Sequence, residues 1–412
     1  MTSTATPAAP SRAAAAFIFV TVVLDVVAMG LIIPVWPTLI QHYVTTSEAD
    51  AVRMGSWLSF LWAAMQFIFM PVQGALSDRF GRRPVLLISI TGLGIDYILM
   101  ALAPTLAWLF VARAISGITA ASFSTANAYI ADITPPEKRA AAFGMIGAAF
   151  GIGFVVGPMA GGLAGSIDPR LPFWIAAGLC LVNALYGYFI LPESLPPERR
   201  RPFSLTNANP FGAFALLSSK GPLLGLGAAQ FCYYVGHNVY PAVFVGFTTF
   251  RYGWGETMNG LALALVGVTS IVVQGGLVGP VVQKLGPRRA MATGLGFGVV
   301  AFLVYALGPT GLWVWIAIPL GALWGFYGPA AQTLMTQRVS PSEQGMLQGA
   351  LGSMMGLAMI IAPLLYPNVF AWAIEAKGTY GAWPLLGAPF FVAAALLAIA
   401  LVLAWRATAP KD

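Results

Sequence analysis

Charge is what this chain has least of. Only 8% of its 412 residues are Asp, Glu, Lys or Arg, against about a quarter in soluble domains. A water-facing surface for so long a chain cannot be built from 14 acids and 21 bases, which excludes a soluble enzyme. Histidine and cysteine occur twice each. There is no C-x-x-C and no H-E-x-x-H, so no metal site, resident cofactor or metalloprotease chemistry is expected. Cys180 and Cys232 lie in apolar runs and read as reduced core residues. Ten-residue apolar–polar alternation is missing too, which argues against a membrane β-barrel. No enzyme activity is expected.

What fills the chain is apolar. Hydrophobic residues make up 58% and the mean hydropathy is +0.80, which excludes disorder. Spanning a bilayer takes about 20 mainly apolar residues. Twelve such stretches follow one another: 14–37, 55–76, 85–103, 106–130, 140–165, 171–192, 222–247, 257–281, 290–308, 312–337, 344–370 and 382–406. The first carries Asp25 and no clear cleavage site, so it reads as a retained helix rather than a signal peptide. An all-α membrane protein is expected, a monomer in the inner (plasma) membrane.

The even count puts both termini on one side. That side collects 16 of the 21 cations, while the other has Arg53, Arg170, Arg251 and Lys377, and Arg113 falls inside a span. Positive loops face the cytoplasm, so both termini are expected there. The net charge of +7 therefore reads as orientation bias, and no nucleic-acid partner is expected.

The longest polar stretch, 193–219, follows six spans and is rich in Pro and Arg. It divides the chain into an N-terminal bundle (1–192), a cytoplasmic linker (193–219) and a C-terminal bundle (220–412). A shift of 205 residues superposes Gly74 on Gly279, Asp78 on Gln283, Gly81 on Gly286, Arg83 on Arg288, Pro136 on Pro341, Gly144 on Gly349, Pro158 on Pro363 and Asp25 on Gln230. Repeated six-helix halves are a transporter architecture, with the substrate site between them near the midplane.

Ionisable residues inside spans are costly and invite a functional reading. Asp25, Asp96 and Arg113 qualify. Burial favours the neutral form of an acid and a nearby cation favours the charged one, so a carboxyl between those influences suits proton exchange. Asp25 is the first candidate for proton coupling. Arg113 needs an anionic or carbonyl partner: it pairs with Asp25 or contacts substrate. Asp96 is a second proton group or a structural partner of the loop after span 2. Neutral polar and aromatic groups supply a candidate substrate cavity: Gln66 and Asn127 from the first half, and Gln230, Tyr233, Tyr234, His237, Asn238, Gln274, Trp324, Tyr327 and Gln332 from the second. Gln230, Tyr234, His237 and Asn238 recur at helical spacing and form one polar face. His237 is a wall residue or a proton carrier. The aromatics suit flat or amphipathic molecules.

Residues 74–84 read G-A-L-S-D-R-F-G-R-R-P, between spans 2 and 3. Gly74 and Gly81 permit a tight turn, and Asp78 can pair with a nearby Arg. The segment resembles the signature loop of the major facilitator superfamily. That resemblance implies a cytoplasmic gate at Asp78, Arg79 and Arg82. In span 5, Gly153-x-x-x-Gly157-Pro158-x-x-Gly161-Gly162 resembles the antiporter motif of proton-coupled drug exporters in the same superfamily, and its spacing also suits close helix packing. A nucleotide-binding reading of Gly151-x-Gly153 fails, because no strand precedes it.

The tetracycline/proton antiporters are the nearest resemblance. It rests on Leu24-Asp25, Gly30 to Pro34, Met65-Gln66, Asp96-Tyr97, Arg113 with Ser116-Gly117, and Tyr129 to Asp132, and it is thinner over 220–370. Where that family has a His in span 8 and an acid in span 9, this chain has Ser270 and Gly298, although Gln274 is kept. The implied function is export of a small drug-like molecule, such as tetracycline, in exchange for protons. Symport or facilitated uptake of an organic nutrient is the alternative, and a receptor or scaffold is a more distant one.

Overall fold

A computed structural model describes residues 12–120, 122–134, 139–200, 217, 221–340, 343–380 and 383–409. Most of the 193–219 linker lies outside the described residues, as do Pro136 and Pro341 of the repeat. Helix is the dominant structure among the described residues.

Eight helices are long and apolar enough to cross a membrane among the described residues. One of the eight, 256–307, is two crossings folded at Gly286, where the backbone leaves helical geometry. Three further crossings are each built of two shorter pieces, which completes twelve: α1 (Arg12–Ile32, bent 46° into Trp36–Tyr43), α4 (Leu106–Thr119 and Ser122–Ile133) and α7 (Gly221–His237 and Val239–Tyr252). The others are α2 (Glu48–Phe80), α3 (Arg82–Leu102), α5 (Arg139–Gly165), α6 (Leu171–Ile190), α8 (256–285), α9 (287–307), α10 (312–336), α11 (Gln344–Tyr380) and α12 (Ala388–Ala407).

Local chemistry sets the ends. The Ser47 hydroxyl caps α2 by accepting from the Asp50 amide at 3.0 Å. Gly253 ends α7 in the left-handed conformation. Gly81 and Gly286, which are 205 residues apart, have φ of 107° and 75° and turn the chain sharply between consecutive helices. The guanidinium of Arg83 reaches the Tyr188 carbonyl and lies over its ring, and Arg288 does the same at Trp405. The repeat seen in sequence is therefore also a repeat in structure.

One hydrophobic core is assembled from residues of α1–α6, and a larger one almost wholly from residues of α7–α12. The halves meet along two seams, α2 with α11 and α5 with α8. Within the halves α1 packs on α5 and α6, α4 on α2 and α3, α7 on α11 and α12, and α10 on α8 and α9.

The glycines of α5 make these contacts possible. A methyl added at Gly157 would lie 2.8 Å from Gly30 Cα, and one at Gly153 would lie 2.5 Å from Val26 Cβ. One at Gly161 would overlap the Leu31 carbonyl of α1. On its other side α5 meets α8: methyls at Gly162 and Gly260 would overlap the carbonyls of Glu256 and Pro158. Backbone atoms cannot move aside cheaply, and overpacking of this kind costs about 1–3 kcal/mol. Gly161→Ala is therefore expected to lower the thermal unfolding midpoint in detergent by several degrees. Gly178→Ala on α6, with nothing within 4 Å of the added carbon, is expected to leave it unchanged.

Candidate functional site

The first half holds a buried polar network. Asp25 is 4% exposed, and its Oδ1 accepts from Asn183 Nδ2 of α6 at 3.2 Å. The same amide reaches back to Thr21, whose hydroxyl donates to Asn183 Oδ1 at 3.1 Å. Asp25 thus faces α6 inside its own half. Asp96 is fully buried, and its Oδ2 accepts from Arg113 Nη2 at 2.9 Å. The Ser116 hydroxyl is close by, but Asp96 Oδ1 has no well-formed hydrogen bond. The partner of Arg113 is therefore Asp96, not Asp25, and Asp96 is tied to α4 rather than to the loop after α2. Arg113 also lies 5.2 Å from the Trp36 ring, at the bend of α1. The two carboxyls are thus bonded separately, Asp25 to α6 and Asp96 to α4.

The second half presents rings. Tyr233 lies 4.3 Å from Tyr327 and 5.5 Å from Trp324 between centroids, and His237 lies 4.9 Å from Trp324. Tyr240, which sequence reasoning passed over, extends this wall 5.9 Å from Trp324. Three irregular turns bring these residues together. α7 breaks at Asn238, whose amide donates to the Tyr234 carbonyl at 2.8 Å, so it serves the break rather than a ligand. α8 contains a π turn at Val273–Leu277 and α10 a 3₁₀ turn at Leu323–Phe326. The two turns touch: a methyl at Gly325 would sit 3.7 Å from Gln274 Cγ. Breaks at membrane depth are tolerated where they are buried in protein or line a cavity.

His237, Gln274 and Asn127 are exposed although they sit on spanning helices. Gln230 is buried and bonded to Tyr234, and Gln332 is half-buried. Gln66 is half-buried where α2 passes so close to α4 that a methyl on Gly117 would be 3.2 Å from its backbone nitrogen.

The expected loop at 74–84 is instead helical on both sides of a one-residue turn at Gly81: Gly74 to Phe80 end α2 and Arg82 opens α3, so Gly74 makes no turn. Arg82 is the hub of this corner. It pairs with Asp78, donates to Ser77 Oγ at 2.6 Å, and reaches Asp132 of α4 at 3.1 Å. Ser77 in turn donates to the Gly74 carbonyl. Arg79 stands apart, exposed and over the Phe80 ring. Glu193, which sequence reading made the first linker residue, accepts from the amides of Arg82 and Arg83 at 2.8 and 3.3 Å. Its carboxylate caps the N-terminus of α3 in the space that a side chain at Gly81 would fill. A Pro-Glu pair directly after a span was the available signal.

Polar contacts between the halves gather at the opposite end of α2. Arg53 forms a two-pronged pair with Glu375 of α11 at 2.6 and 2.7 Å. Ser56 donates to the Pro363 carbonyl and receives Asn368 Nδ2. Thr38 donates to Glu256 at 2.8 Å. The molecule is thus fastened across its midline at the end away from Asp78.

Residues 18–363 match the Major Facilitator Superfamily. The chain is 40% identical over 354 residues to the class C tetracycline resistance protein of Escherichia coli, covering 85% of this chain and 88% of that one. It is 33% identical over 402 residues to the class H protein of Pasteurella multocida, covering 94% and 96%. Among solved structures, a bacterial homolog to the human lysosomal transporter Spinster, inward-facing and unoccupied, superposes with a TM-score of 0.76 at 19% identity, over 98% of this chain and 97% of that one. A D-xylose-proton symporter gives 0.75 at 18%, over 95% and 97%. Those two likenesses concern the fold. With the family match and the resistance proteins, they place this multi-pass membrane chain in the major facilitator superfamily, within the family of the tetracycline resistance proteins.

Proposed function

We propose that this chain exports a small amphipathic drug-like molecule in exchange for protons, as a monomer in the inner membrane with both termini in the cytoplasm. Its two six-helix bundles, 1–192 and 220–412, rock about the space between them, and 193–219 joins them. Tetracycline, named in the relatives, is the first candidate substrate.

The observation that carries this reading is the pair of buried acids in the first half, one on α1 and one salt-bridged to Arg113 of α4, with an aromatic wall built in the second half. Protonating Asp96 removes the negative partner of Arg113. The freed guanidinium must then find another partner, with the Trp36 ring already beside it. Protonating Asp25 changes its bond to Asn183 and hence the seating of α1 on α6. Either event shifts helices that line the centre. The fastening at Arg53–Glu375 and the absence of a second-half partner in the described bonds of Arg82 support a state open toward the Asp78 end, taken as cytoplasmic. The cycle would load substrate there, break the Arg53–Glu375 pair, and close the Asp78 corner. A membrane potential of 100 mV supplies about 2.3 kcal/mol per charge moved.

Flux in proteoliposomes under an imposed pH gradient tests this reading. Wild-type protein should move substrate against the direction of the protons. Asp25→Asn should cut that flux by about tenfold or more while leaving substrate binding nearly unchanged. Substrate travelling along with the protons would contradict antiport, and full coupling in Asp25→Asn would remove that residue from the mechanism. A second expectation concerns the ion pair. Breaking a buried pair costs about 3–5 kcal/mol because one charge is left alone. Thermal unfolding should therefore show Asp96→Leu and Arg113→Leu each strongly destabilised, and the double variant less so than their sum.

A further inference from the structure

The second half offers rings where a metal-carrying ligand would need oxygen donors. No charged residue occurs in α7 from 221 to 250, in α8 from 257 to 283, or in α10 from 312 to 336. Among the described residues no three His, Cys, Asp or Glu side chains converge as a metal group. Next to the wall, the space beside Gly298 is occupied: an added methyl would lie 2.6 Å from Leu397 Cδ1 and 3.0 Å from Trp324 Cε3. A carboxylate therefore has no room there, because Leu397 and Trp324 together fill the position. His237, 4.9 Å from Trp324, is the one imidazole at the wall. Hydrated divalent ions such as Mg²⁺ are held through oxygen ligands, chiefly carboxylates and water. Ring faces instead carry negative potential and attract organic cations, and they stack on flat molecules.

We propose that Tyr233, His237, Tyr240 and Trp324 bind the exported molecule as a planar aromatic cation free of bound metal, and that Trp324, packed over Gly298, sets this preference. The wall is continuous, with Tyr240 lying 6.4 Å from His237 and 5.9 Å from Trp324. It is open at His237, the exposed member. The proposal rests on the export reading above and narrows its substrate.

Two probes separate the cases in proteoliposomes of the full chain. Ethidium is a planar cation that binds no metal, and tetracycline is supplied with Mg²⁺ or with EDTA. The expected result is proton-driven ethidium movement at the same rate in EDTA. Tyr233→Leu should weaken ethidium binding by about tenfold or more, and Tyr233→Phe should keep it within about twofold. These two variants carry the test if Trp324→Leu does not fold. Ethidium left unbound while tetracycline moves only with Mg²⁺ would overturn the proposal and leave drug–proton exchange standing. Ethidium binding unaffected in Tyr233→Leu would also overturn it. If neither compound moved against the protons, the export reading would fall with it.

Discussion

The close approach of α5 to two neighbours at once governs the rest of the structure. On one side Gly153, Gly157 and Gly161 bring it against α1, the helix that carries Asp25. On the other, Gly162 and the Pro158 carbonyl meet Glu256 and Gly260 of α8 in the opposite half. At these glycines backbone meets backbone or the short Val26 side chain, so position is transmitted with little slack. Any shift of α1 that accompanies protonation is therefore felt at the seam between the halves. Farther along this seam side chains interlock, with Val155 of α5 against Gly267 and Ile271 of α8 against Gly151, so the two helices move together. Packing and coupling are here one feature.

The halves divide the chemistry. The first holds charge: Asp25 with Asn183 and Thr21, and Asp96 with Arg113. Each charged group has a partner, as burial in a low-dielectric interior demands. The second holds rings and neutral polar groups, arranged by three breaks in helices α7, α8 and α10. The buried acids and the aromatic wall lie in different halves, so in the proposed cycle they influence each other through the relative placement of the halves.

The fold was largely legible in the sequence, and the site only in part. Apolar runs report membrane crossings whatever their neighbours, so twelve spans could be counted before any packing was known. Asp25, Asp96 and Arg113 stood out because charge in such runs is rare. Their partners did not: Asn183 is one polar residue in an apolar helix, and the choice of Asp96 over Asp25 as the partner of Arg113 depends on how α3 and α4 pack. Tyr240 could not be told from 12 other tyrosines by type. Asn238 fitted a polar face by spacing, but a break in the helix turned its amide to the backbone. Arg79 and Arg82 differ little in sequence; the turn at Gly81 directs one outward and the other into the Asp78–Asp132 cluster.

The two ends of α2 complete the picture. One end carries Arg53, paired across the midline with Glu375, and the other carries Asp78 beside Arg82 and the α3 cap from Glu193. A single helix of 33 residues thus bears both fastenings. Its two ends cannot both close on the second half if it moves as a rod, because tilting one end inward swings the other out. The pair at Arg53 and the contacts of Asp78 within its own half are then two consequences of one tilt. Glu193 caps α3 at this corner by accepting from two backbone amides that would otherwise face water.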